Sequence, residues 1–148
     1  MKNFVILISI FWLATSSPSI AAQQEIGNAR NVVGESFLIR DDVRKTIELG
    51  ALIYQNDTIE TSTNGSVGIT FTDNTILSTG PNSTVHMEKF AFNPTNLKGN
   101  FLANLKKGTL SIISGDIARG NSDAMSIKTP SAVLGVRGTR FLVRVLED

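Results

Sequence analysis

The stretch Ile127-Lys128-Thr129-Pro130-Ser131-Ala132-Val133-Leu134-Gly135-Val136-Arg137-Gly138-Thr139-Arg140-Phe141-Leu142-Val143-Arg144-Val145 holds two apolar alternations that differ in phase. Ala132, Leu134 and Val136 fall on even positions, Phe141, Val143 and Val145 on odd ones. A strand repeats every two residues, so one unbroken strand would turn one of these sets away from the core. One residue must therefore be absorbed between Val136 and Phe141. Gly138 can do so, because glycine tolerates positive φ and supports a β-bulge. The expectation is a strand, a bulge or tight bend at Gly138, and a second strand, with both apolar sets buried together. Arg137, beside that bulge, would offer its N–H donors to carbonyls that lose their ladder partners.

The same short alternations extend outward through the chain, separated by turn residues, and they predict an all-β fold. Val32 to Ile39 and Ile47 to Ile53 read as the first two strands, with Asp41-Asp42 near the turn between them. Asn64-Gly65 signals a type I′ hairpin, because both residues accept positive φ. Val67, Ile69 and Phe71 form one apolar face. From Thr84 to Phe92, Val85, Met87 and Lys89 alternate with Thr84, His86 and Glu88, and Phe90 and Phe92 extend the run. Asn93 to Asn104 is irregular and reads as an insertion loop or a bent strand. Leu110, Ile112 and Ile113 give a further strand, and the polar stretch from Ser114 to Ala124 reads as an exposed loop. Nowhere after the N-terminus do apolar residues hold helical spacing over three turns.

Several of these pieces resemble the FecR domain, found in periplasmic parts of iron-uptake signalling regulators. Thr129-Pro130-Ser131-Ala132 running into Val136-Arg137-Gly138-Thr139 and the Phe141-x-Val143 strand is similar to the end of that domain. Leu52 to Thr61 (LIYQNDTIET) resembles Leu-x-x-Gly-Asp-x-Ile-x-Thr, with Asn56 in the usual place of Gly. Phe71-Thr72-Asp73-Asn74-Thr75 resembles Phe-x-Asp-Gly-Thr, again with Asn for Gly. Gly80-Pro81-Asn82-Ser83 and Lys107-Gly108-Thr109-Leu110 follow in the expected order, so the resemblance spans about Ala29 to Leu146. It makes Pro130, Arg137, Gly138 and Thr139 a structural motif and implies an irregular β-solenoid-like module. The residue pattern itself leaves a β-sandwich open, because no repeat of fixed period is visible.

Residues 1–22 read as a signal peptide: Lys2 is the charged start, Phe4 to Ala14 the apolar run, and Ser19-Ile20-Ala21-Ala22 the cleavage site. The run is too short to span a bilayer, which takes ~20 residues. Residues 23–148 then form a single small domain, periplasmic or secreted and no longer membrane-spanning once processed. Losing Lys2 with the leader balances the remaining basic residues against the 13 acidic ones. No basic footprint for nucleic acid is left. With Cys 0, neither a lipobox thiol nor a disulfide is possible.

The residues offer no catalytic, cofactor or metal site. His86 is the only histidine, so neither a histidine pair nor a soft thiolate site can form, and it reads as a half-exposed surface residue. Ser83 and Asp73 lie near it in sequence but not on the strained elbow a nucleophile needs. Asp57, Asp73 and Asp116 sit too far apart for one calcium loop and read as acceptors of N–H bonds in their own turns. The resemblance instead implies a non-enzymatic module that binds another envelope or periplasmic protein. The regulators it resembles carry a transmembrane helix and a sigma-factor-regulating segment, whereas a cleavable leader is expected here. That points to a free signalling accessory. A cell-wall or glycan-binding module is the alternative, weakened by the absence of Trp beyond the leader and by a single tyrosine, Tyr54. The expected partner face is the outer side of the last strand, where Arg140, Leu142, Arg144 and Leu146 alternate charge with apolar surface.

Overall fold

The computed structural model describes residues 23–136 and 140–146. In chain order these form β1 (Glu25–Val33), β2 (Ser36–Arg40), β3 (Val43–Thr46), β4 (Leu52–Tyr54), β5 (Thr58–Thr61) and β6 (Ser66–Phe71). There follow β7 (Ile76–Thr79), β8 (Thr84–Asn93), β9 (Lys98–Ile113), the short helix α1 (Asp116–Gly120), β10 (Met125–Lys128), β11 (Val133–Gly135) and β12 (Arg140–Val145). The expected leader, the bulge expected at Gly138 and the roles given to Arg137 and Thr139 lie outside the described residues.

The strands join into one sheet in the order β3-β2-β5-β8-β9-β7-β6-β1-β4, with β10 and β12 on the other side of β9 and β11 beyond β10. Every pairing is antiparallel except β9 with β10. The sheet is strongly curled into a half-barrel, and β9 shows why. Drawn straight, it would hold Gly99 and Ile113 about 45 Å apart, at ~3.3 Å per residue. Yet the Ile117 side chain lies 2.7 Å from where a Cβ on Gly99 would sit. The chain between Ile113 and Ile117 reaches at most about 14 Å, so β9 must bend back on itself. Gly108 sits in this long strand with φ +89°. A Cβ there would stand 2.2 Å from Ser83 Oγ and 2.5 Å from Ser83 Cα.

This architecture corrects the solenoid-like expectation, and it is a single curled sheet rather than two stacked layers. Solenoid coils stack strand on like strand, whereas here neighbouring strands run in opposite directions. The first half of β9 pairs with β8 and the second half with β7 and β12, so one strand serves both halves of the molecule. The core lies inside the curl. Phe71 stacks on Phe90 at 5.5 Å and meets Phe101 edge-on at 4.9 Å.

Several local readings change. Val32 to Ile39 is not one strand: it breaks at Gly34, φ +62°, where the chain passes from the β6 side of the sheet to the β5 side. Asn64-Gly65 is not a hairpin turn either, since β5 and β6 do not pair and neither residue has positive φ. It is a second crossing packed on the first, with the Ser62 N–H donating to Glu35 O at 3.0 Å. The tight two-residue hairpin is Asp41-Asp42, φ +50° and +62°, joining β2 to β3. Ile47 is buried but lies outside any strand. The stretch read as an exposed loop from Ser114 holds α1 and buries Ile117 and Ala124. One turn of helix is too brief to show a period.

Near the C-terminus the burial expectation holds in part. Val136 and Val143 are buried, and Phe141 and Val145 pack partly against the core. Ala132 and Leu134 are exposed instead. They lie on or beside β11, which among the described residues pairs only with β10 and is exposed along its length.

Candidate functional site

Two of the aspartates singled out in the sequence, Asp57 and Asp73, and the small polar residues make three buried polar knots, while Asp116 is partly exposed and accepts from Asn74 Nδ2 and Arg119 Nη1. Asp57 is fully buried and accepts from Arg40 twice, Nε to Oδ1 and Nη2 to Oδ2, both at 2.7 Å, and from the Tyr54 N–H at 2.8 Å. Arg40 Nη2 also donates to Leu52 O at 3.0 Å, so this side chain ties the end of β2 to β4 across the mouth of the curl. Its pKa is raised above the ordinary arginine value, chiefly by the hydrogen bond to Asp57, against the opposing effect of burial. Asp73, also buried, accepts from the Thr75 N–H at 3.1 Å, Thr75 Oγ1 at 2.7 Å and the Ile117 N–H at 3.4 Å. The third knot joins three motifs. Thr61 Oγ1 donates to Gly80 O at 2.7 Å and accepts from the Ser83 N–H at 2.9 Å, while Ser83 Oγ accepts from the Thr109 N–H at 2.9 Å.

These bonds leave no shared chemistry among Ser83, His86 and Asp73. Ser83 is committed to Thr109 and Pro81, His86 Nδ1 lies 2.9 Å from Thr58 Oγ1, and Asp73 is held in its own turn. No group of three or more His, Cys, Asp or Glu side chains that could hold a metal exists among the described residues. No helix among them is long and apolar enough to cross a membrane. The ring of Tyr54 already carries the Arg40 guanidinium, 4.3 Å from its centroid.

The outer face of β12 is different. Leu142 is 68% and Leu146 73% exposed, and Arg140 and Arg144 are exposed between and beside them. Neither arginine side chain has a hydrogen bond or ion pair among the described residues. Only β9 pairs with β12, leaving its other edge open among the described residues. Beside the end of β12 an open groove of about 920 Å³ runs to the β10–β11 hairpin. Pro130 and Leu134 line it from the hairpin, Lys106 from β9, Arg144 from β12 and Leu146 from just past the end of β12. The structure therefore leaves all four sequence-predicted residues exposed, three of them on β12 and Leu146 just past its end. Arg40 and the hairpin side of the groove were not foreseen. Nothing local marks them, since each acquires its role from a segment distant in sequence.

The family model for FecR protein matches residues 57–148. The chain belongs to the FecR family. The FecR match opens at Asp57, the buried acceptor of Arg40, and takes in the knots at Asp73 and Ser83 and the whole of β12. The FecR motifs are thus turn and crossing residues that hold the curl. β1 to β4 precede the match, but they are integral to the sheet through β6 and β5. No curated protein and no solved structure matches the chain.

Proposed function

We propose that this FecR-family chain is a non-enzymatic interaction module of the cell envelope, exported by its leader and acting as a signalling accessory that docks another envelope protein through β12. The observation that carries the reading is the exposed Leu142 and Leu146 set among Arg140 and Arg144, whose side chains have no partner among the described residues, at a strand whose outer edge is open among them. Water-exposed leucines on a strand edge invite pairing, and the arginines bias that pairing toward acidic surfaces. The test is site-specific crosslinking in intact cells from positions 142 and 144, with probes at Lys45 and Thr72 for comparison. A discrete envelope protein captured from β12 alone is the expected result. Capture only from the comparison positions would move the binding face elsewhere.

A further inference from the structure

The groove beside β12 has a chemistry of its own. Its lining includes Lys106, Lys107 and Arg144, all exposed, and no carboxylate among the described residues. The apolar part of the lining comes from Pro130, Leu134, Val143 and Leu146. Two strands with an edge left open among the described residues flank it, since there β11 pairs only with β10 and β12 only with β9. A groove whose described lining is cationic attracts a negatively charged occupant. Apolar side chains interleaved with them ask for apolar residues between those charges. Open strand edges present unpaired backbone N–H and C=O groups, which an extended chain satisfies and a helix does not.

We propose that the groove between the β10–β11 hairpin and β12 takes an acidic, extended segment of the partner protein, added as a strand along the open edge of β12. This rests on β12 being the docking strand and goes further by fixing the partner's chemistry and conformation. Acidic side chains on one face of the added strand meet Lys106 and Arg144, and the apolar ones, on its opposite face, turn toward the Val143 side of β12.

The direct test is fluorescence anisotropy with the purified protein, expressed from the full chain, and a labelled ten-residue peptide alternating Glu with Val. The expected result is saturable binding that weakens as salt is added and falls tenfold or more in the K106E/R144E variant. K45E, on the far strand β3, should bind as the parent does. Both altered residues are exposed, and an unchanged melting curve confirms that the variant is folded. A peptide with Lys in place of Glu should not bind, and N-methylation of alternate peptide amides should abolish binding. Absence of binding, equal binding of the Lys peptide, or indifference to N-methylation overturns the proposal. So does a dimer through the groove that the peptide cannot dissolve, or binding seen only after Glu147 and Asp148 are removed, because either result assigns the groove to this chain itself. A partner crosslinked from position 142 despite failure of the peptide would keep β12 as the docking strand and discard only the acidic-strand chemistry.

Discussion

Asn56 and Asn74 have φ of +70° and +65°, in the two places where the FecR pattern usually carries glycine. Asparagine is among the few residues that enter this left-handed region readily, so the departure from pattern keeps the backbone conformation. Asn56→Gly should leave stability nearly unchanged, whereas Asn56→Ala should cost about 1 kcal/mol relative to it. Urea unfolding of the two variants checks this, and equal midpoints would contradict it. Arg40 and Asp57 pose a second residue-scale question. Asp57→Asn keeps the shape but removes the charge that accepts both guanidinium N–H groups. A loss of about 2 kcal/mol is expected, toward the low end for hydrogen bonds to a charged group, because a third of the Arg40 side chain faces water. Since the Arg40 pKa is raised, the guanidinium's share of that stability is present throughout neutral pH and fades only in strong alkali. The turn roles of Asp57 and Asp73 were legible in the sequence because such acceptors act within a few residues. The Arg40 bond was not, since it depends on β2 pairing with β5, where Ile39 stands opposite Thr58 and so brings Arg40 beside Asp57.

At the scale of elements, β9 bends where Gly108 passes Ser83. Gly108→Ala would require both a left-handed alanine and the displacement of Ser83, so a loss of at least about 3 kcal/mol is expected, read from thermal unfolding. A melting temperature within a degree or two of the parent would refute the bend as the source of the curl. Strand phase was the most informative signal in the sequence, and it was used unevenly. The parity change between Ala132 and Val145 pointed to a bulge, but the same rule applies at Glu88. There Val85 and Met87 face the core from odd positions and Phe90 from an even one, and the register shifts between Met87 and Lys89. Pairing partners were a different matter. Asn64-Gly65 has the composition of a hairpin turn, yet its flanking strands belong to different parts of the sheet, and composition carries no information about which strand lies beside which.

For the molecule as a whole, the sequence made the all-β class readable through alternation. The curl depends on contacts between residues far apart, such as Ile117 against Gly99 and Thr61 with Ser83, which leave no local trace. Because β9 is central to both halves, its backbone amides should exchange with solvent most slowly, and those of β11, an exposed edge, among the fastest. Hydrogen exchange followed by mass spectrometry would show this, and a β11 protected as well as β9 would count against the pairing described. The β12–β9 pairing also sets how the module bears force. Its antiparallel bonds run across the strands, in register from Arg140 opposite Ile113 to Val145 opposite Gly108. A partner tugging along β12 would strain the whole ladder at once in shear, and the strand would hold. A partner peeling it outward from Leu146 would break the bonds one after another, as a zipper opens, so the direction of pull alone decides whether the last strand stays or leaves.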